Sequence, residues 1–273
     1  MKKAIKVVAV VCAVALALSF VGCKKGKQSK VATDESLVKV QNANLFVLGL
    51  DDSFPPYGYR DEDQNIVGYD IDLAKEVCNR LGVELKCQPI DWNSKEQELN
   101  TGKIDCIWNG FTINEERLAA MAFTSAYVDN SQVVVVQENS EYTDLASLAG
   151  KNLGLQAGSS AAEAVDGAEE FASSLKSIVE FKDNLTALMD LEIGGVDAVV
   201  LDVGVAETAI KNGRNFKILE EPVASEKYGV GFRKNDIALR DAVQKALEEM
   251  VADGTMHEID MKWFGEDRSV IGK

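Results

Sequence analysis

Thr112 and Arg117 flank Asn114, a residue type that caps helices, in the stretch Gly102-Lys103-Ile104-Asp105-Cys106-Ile107-Trp108-Asn109-Gly110-Phe111-Thr112-Ile113-Asn114-Glu115-Glu116-Arg117. A side-chain oxygen at the cap satisfies one of the free amides that open a helix, and the others stay available to a partner. Those amides, a hydroxyl and a planar cation with several donors suit a carboxylate or another small anion. The spacing predicts a helix from Asn114 through Leu118 and Met121, preceded by a buried strand from Ile104 to Trp108. Arginine is far more often exposed than a ligand clamp, so this stretch alone leaves a solvated Arg117 as an equal alternative.

A second copy of the pattern shifts the balance. Leu99-x-x-Gly102-x-x-Asp105 before Cys106-Ile107-Trp108 is echoed at the same spacing by Leu191-x-x-Gly194-x-x-Asp197 before Ala198-Val199-Val200. Each copy reads as a helix ending at glycine, a turn and a buried strand. The first strand delivers Asn109 to Thr112 and the second delivers Asp202, both at carboxyl ends, where open α/β sheets bind ligands. Two similar lobes facing one cleft are expected.

Other elements must hold these groups in place. Leu45 to Leu50 reads as a strand, opening into Asp51-Asp52-Ser53-Phe54-Pro55-Pro56-Tyr57-Gly58-Tyr59, a stiff loop whose aromatics are expected to wall a ligand. Asp61 to Val67 reads as a polar turn, and a helix from Asp70, with Asp70 and Asp72 in the first turn to suit the helix dipole, sends Leu73, Val77 and Leu81 to the core. Val83 to Ile90 is a strand followed by Trp92, and Lys95 to Leu99 is helical. Phe123 to Tyr127 reads as a loop and Ser131 to Gln137 as a strand making the first crossing between lobes. A short helix is expected over Asp144 to Gly150, then a strand from Asn152 to Gln156. Ser160 and Glu163 match the Ser-x-x-Glu capping box, with Gly158 permitting close backbone approach. Strands at Ile178 to Phe181 and Phe216 to Leu219, helices at Asn184 to Leu191 and Asp202 to Ile210, and a second crossing at Tyr228 to Phe232 follow. Two terminal helices complete the core.

The 273 residues, 46% of them hydrophobic with only 4 Pro, are a globular composition with room for two domains. Lys2, Lys3 and Lys6 precede an apolar run from Val7 to Val21 that is short for a membrane span, so residues 1–22 read as a signal peptide. Removing those three lysines takes the formal net charge from −15 to −18, which argues against nucleic acid as a partner. Cys12 leaves with the signal. Cys78 and Cys87 could form a disulfide in an exported protein, or join Cys106 as small buried residues. No Cys/His cluster suggests a zinc site, and no cofactor is expected.

Ser19-Phe20-Val21-Gly22-Cys23 resembles the bacterial lipobox, which implies that Cys23 is lipidated and that residues 23–43 are a flexible tether holding the protein at the outer side of a membrane. From Leu45 to Gly265 the chain resembles the polar amino-acid family of ABC-transporter substrate-binding proteins. The motifs are Asp51 to Tyr57, Val67-Gly68-Tyr69-Asp70-Ile71-Asp72-Leu73-Ala74, Gly102 to Arg117, Gly158-Ser159-Ser160, Val196 to Asp202 and Lys262-Trp263-Phe264-Gly265.

The resemblance implies an α/β, two-lobed type II periplasmic-binding-protein fold with two hinge crossings. Residues 44–134 with 228–273 would form one lobe and 135–227 the other. By resemblance Arg117 clamps the ligand carboxylate with Thr112 and the amides around Ser160, while Asp202 and the Gly110 carbonyl take the ammonium. Phe54 and Trp92 sandwich the ligand side chain, Asp51 contacts its far end, and Asn109, Tyr57, Phe111 and Ser159 complete the lining. Trp108-Asn109 is bulkier than the common pattern. The expected function is a monomeric, non-catalytic receptor that passes a basic amino acid, glutamine or cystine to an ABC permease. An enzyme resembling cyclohexadienyl dehydratase is the alternative, set against a chain whose lone histidine, His257, joins no catalytic set. A sensor ectodomain is a third.

Overall fold

The computed structural model describes residues 34–273. The signal peptide, Cys12, the lipid-site Cys23 and residues 24–33 lie outside the described residues. Within the span expected as a flexible tether, 23–43, residues Ser36–Ala43 form a helix, α1. Only Ser36 and Val40 of α1 are buried, so its sequence carries too weak an apolar stripe to be seen.

The first sheet is built on β1 (Leu45–Leu50), a continuous apolar run of the sort covered on both faces. It pairs in parallel with β5 (Glu84–Pro89) on one side and β6 (Cys106–Ile107) on the other. Next come β14 (Gly231–Arg233), antiparallel to β6, and β7 (Met121–Phe123), antiparallel in turn to β14. Helix α2 (Tyr69–Leu81) turns Leu73 and Val77 into the core and ends at Gly82. Helix α3 (Lys95–Asn100) precedes β6, and the short helix α4 (Glu115–Ala120) follows it. Helix α4 stops one residue before the expected end, since Met121 already belongs to β7.

Two short strands, β2 (Ser53–Phe54) and β3 (Gly58–Arg60), occupy the expected stiff loop and pair with β4 (Ile66–Val67) in a small sheet. The prolines do forbid regular structure at 55 and 56, but they sit in the turn, closed by Tyr57 N donating to Phe54 O at 3.0 Å.

The second sheet has β9 (Asn152–Gln156) at its heart, parallel to β10 (Ser177–Phe181) and β11 (Ala198–Asp202). The ten-residue β8 (Val128–Gln137) runs antiparallel to β11, to β12 (Phe216–Ile218) and to β13 (Ala224–Tyr228). Helices α5 (Ser160–Gly167), α6 (Glu169–Ser174), α7 (Asn184–Glu192) and α8 (Val203–Lys211) accompany it. Helix α6 and strand β13 escaped the sequence reading, and the helix expected over 144–150 is a single 3-10 turn at Ala146–Leu148. The chain closes with α9 (Ile237–Asp253) and α10 (Thr255–Trp263), which pack against α2.

The chain leaves the first sheet after Phe123 and enters the second at Val128, upstream of the boundary expected at 134. Ser131 to Gln137 is thus interior strand, its valines buried, rather than the crossing itself. The return passes Gly229 and Val230. The crossings lie side by side, with Tyr127 N donating to Tyr228 O at 2.9 Å and Thr124 N to Val230 O at 3.1 Å. Cys78, Cys87 and Cys106 are free thiols, so the disulfide is absent and the small buried reading holds for Cys78 and Cys106.

Candidate functional site

Asp51, Phe54, Trp92, Asn109, Gly110, Arg117, Gln156, Ser159, Ser160 and Asp202 line one narrow cleft between the two sheets. Each stands where a strand has just ended or a helix begins, because those are the positions at which side chains and backbone amides are released from the ladders. Nine of these ten were named from the sequence. Gln156 was not, although a polar residue closing the apolar strand β9 was the signal.

On the first wall, Asn114 caps α4 by accepting from Arg117 N at 2.7 Å. This turns the Arg117 side chain inward, where it is 3% exposed and lies 4.6 Å over the Phe111 ring. Its Nη1 donates to Thr112 O at 2.9 Å and its Nη2 to Glu163 Oε1 at 2.9 Å, with other donors of the fork to spare. Gly110 has φ +55, and a Cβ there would meet Phe54 Cε1 at 2.7 Å, so glycine permits the aromatic to close over the backbone. The Gly110 amide donates to Asp70 Oδ2 at 2.7 Å, which Tyr127 completes from the other side. Asp70, expected to serve the helix dipole, is instead wholly buried as the brace of this loop, and burial pushes its carboxyl up to about 7.

Asp51 accepts from Ser53 N at 2.9 Å and from Gln156 Nε2 at 2.8 Å, and burial pushes it up to about 6. Asn109 accepts from Asp51 N at 3.0 Å, yet its buried Nδ2 has no partner among the described residues. Trp92 meets Phe111 edge to face at 5.8 Å. Three of the expected lining residues stand one layer back. Tyr57 stacks on Phe54 at 5.5 Å, Phe111 carries Arg117, and Thr112 Oγ1 lies 3.0 Å from Ser160 Oγ.

On the second wall, Asp202 occupies the N-cap position of α8 without capping it. Its Oδ1 instead accepts from Asn130 Nδ2 at 2.6 Å, Gln132 Nε2 at 2.9 Å and the Tyr228 hydroxyl, while no hydrogen bond reaches Oδ2 among the described residues. Burial first, and the Glu226 carboxylate second, push Asp202 up to about 7. The expected capping box is displaced by one residue. Ser159 caps α5, accepting from Ala162 N at 3.3 Å, while Glu163 turns away to Arg117 and Asn114. A second helix can supply Glu163 with a full guanidinium, a stronger partner than one backbone amide.

The walls are tied together. Lys95 Nζ donates to Gly158 O at 2.9 Å, and burial, then Arg117, lower its pKa to about 8. A Cβ on Gly158 would lie 2.6 Å from Asn93 Oδ1, so the close approach anticipated there is real. Lys95, Asn130, Gln132 and Glu226 escaped the sequence reading because each sits within a helix or strand, where a polar residue carries no local mark of facing inward.

A family model described as bacterial extracellular solute-binding proteins, family 3, matches residues 46–266. The chain belongs to that family. Among its relatives in the family, the L-cystine-binding protein of Escherichia coli K12 is 28% identical over 250 residues, covering 89% of this chain and 91% of that one. The histidine-binding periplasmic protein of Salmonella typhimurium is 32% identical over 229 residues, 81% of this chain and 87% of its own. In structure, an ABC uptake transporter substrate-binding protein of Streptococcus pneumoniae with bound histidine superimposes with a TM-score of 0.84. It is 33% identical over 87% of this chain and 99% of its own. The two-lobed α/β expectation is met, and these relatives are binding proteins by name.

Proposed function

We propose that the chain is an extracytoplasmic receptor that binds a polar L-amino acid between its lobes and delivers it to an ABC importer. One observation carries this reading: a buried cation, Arg117, and a buried carboxylate, Asp202, line opposite walls of one small cleft with aromatic sides. A zwitterion supplies the opposite charge to each, and a ligand lacking either charge forgoes the spare donors that Arg117 keeps beyond Glu163 or leaves Asp202 without a cation, and is rejected. Binding drawn from both walls favours the closed form over the open one, as hinge closure requires. The relatives named for cystine and histidine support the same reading.

At the far end, Asp51 suits a donor on the ligand side chain and the orphan Asn109 Nδ2 suits an acceptor. Phe54 and Trp92 stack on what lies between. Basic side chains, a glutamine amide and cystine remain the ligand classes. His257 is exposed, pairs with Asp267 and lines none of the cleft, which favours a receptor over an enzyme. Lipidation at Cys23 belongs to the same proposal: Cys23→Ser is expected to release the protein from the membrane fraction.

The test is a thermal-shift panel of the common L-amino acids and cystine. A ligand at roughly a thousand times its Kd adds about 4 kcal/mol to the folded state. A rise with one or a few polar amino acids is expected, and silence across the panel would sink the receptor.

A further inference from the structure

Glu226 stands on β13, two residues before the end of that strand, and its Oε2 gathers four side chains. Thr112 Oγ1 lies at 2.9 Å, Gln132 Nε2 at 3.0 Å, Asn130 Nδ2 at 3.1 Å and Ser160 Oγ at 3.3 Å. The receptor reading assigns Thr112 and the amides around Ser160 to the ligand carboxylate, and Ser160 lines the cleft with Thr112 Oγ1 directly behind it at 3.0 Å. A hydroxyl has a single proton to donate, so one held by Glu226 is lost to a second carboxylate. Gln132 and Asn130 are shared between Glu226 and Asp202, so Glu226 also brings a second negative charge to this end of the cleft.

The half-buried Glu226 has somewhere else to go. Together with Asp129, Ser131, Ser225 and Lys227 it borders a wide, open groove that shares no lining residue with the ligand cleft. A carboxylate turned into that groove is hydrated and meets Lys227, which it shares with Asp129 at 3.4 Å.

We propose that Glu226 is a competitor built into the hinge: its carboxylate holds the Thr112 and Ser160 hydroxyls that a bound amino acid must take over, and its return speeds release. This rests on the amino-acid receptor reading. The alternative role, direct capture of the ligand ammonium beside Asp202, predicts the opposite effect of removing it.

The experiment is calorimetry and stopped-flow dissociation on the wild type, Glu226→Gln and Glu226→Ala. The probes are L-arginine, L-histidine and L-cystine, each beside its decarboxylated counterpart, agmatine, histamine or cystamine. Glu226→Ala is expected to bind the recognised amino acid roughly tenfold tighter with slower dissociation, since displaced hydrogen bonds no longer oppose binding. Glu226→Gln, which keeps the shape and loses the charge, is expected between the two, and the amine without a carboxylate gains nothing. Weaker binding of both amino acid and amine in Glu226→Ala would overturn competition in favour of ammonium capture. Unchanged binding would overturn it outright while leaving the receptor intact. A wild type that is silent to the whole panel of common L-amino acids and cystine overturns the receptor and the competitor together.

Discussion

The two copies of Leu-x-x-Gly-x-x-Asp share one device and deliver different cargo. In the first, Asp105 N donates to Val47 O at 2.7 Å while Asp105 Oδ2 accepts from Val47 N at 2.9 Å. In the second, Asp197 N donates to Asn152 O at 2.9 Å and Asp197 Oδ2 accepts from Asn152 N at 2.8 Å. Each aspartate thus staples a loop to the strand beside it, β1 or β9, and fixes the register of the strand that follows. Beyond that the copies diverge. The first strand ends in a loop that reaches Arg117 on the next helix, and the second ends on Asp202 itself. The backing differs too. Arg233 buttresses Asp105 while donating to Leu99 O and Ile104 O, whereas among the described residues Asp197 is backed by the Tyr142 hydroxyl alone. The device is structural and the payload functional, so mutations in each should separate.

The largest effect is expected at the payloads. Arg117→Ala and Asp202→Ala each leave a ligand charge buried without its partner, worth about 3–5 kcal/mol, so amino-acid binding measured by calorimetry should weaken at least about a hundredfold. Equal affinity in either variant would place the ligand elsewhere.

Next comes the staple. Asp105→Ala is expected to lower unfolding stability in urea by about 2–3 kcal/mol, because a strand amide and part of Arg233 lose their acceptor together. Asp197→Ala, with a neutral hydroxyl as its second partner, is expected to lose about 1–2 kcal/mol. Near-wild-type affinity in the folded Asp197 variant would confirm the separation, and an inverted stability order would break it.

The carboxylates of the site set a pH dependence. Asp51 sits near 6 and both Asp70 and Asp202 near 7, all raised by burial. Between about pH 4 and 7 the folded chain therefore holds more protons than the unfolded one. Their stabilising contribution is full below about pH 4 and lost as pH rises through about 7. The melting temperature without added amino acid should fall from about pH 5 to 8, and Asp202→Asn, which keeps the oxygen that accepts three bonds, should flatten the slope. The smallest effect belongs to Lys95→Met. Losing the bond to Gly158 O should raise Kd by roughly fivefold through the closed form alone.

Most of the payload was legible. Asp202, Asn109 and the serines announce themselves by following apolar strands, where a polar residue has nothing to do in the core, whereas Arg117, on a helix, is an even choice until the second copy of the pattern tips it. Asp70 was misjudged because a first-turn aspartate looks the same in sequence whether it serves a helix dipole or braces Gly110. The Ser160 and Glu163 spacing was read as a capping box because local spacing cannot show that Arg117, forty-six residues earlier, lies within 2.9 Å of Glu163. The carrying motif Lys262-Trp263-Phe264-Gly265 is likewise structural: Trp263 Nε1 donates to Asp72 Oδ2 at 2.9 Å, fastening α10 to α2.

By itself the sequence determined the longer apolar strands and the two opposed charges, because apolar periodicity and strand-end polarity are local properties of the chain. Only the tertiary structure decided which polar groups share partners. Glu226, Gln132, Asn130 and Lys95 come to the cleft by strand pairing and lobe closure, and hydrogen bonds between residues up to 114 positions apart leave no trace in their neighbours.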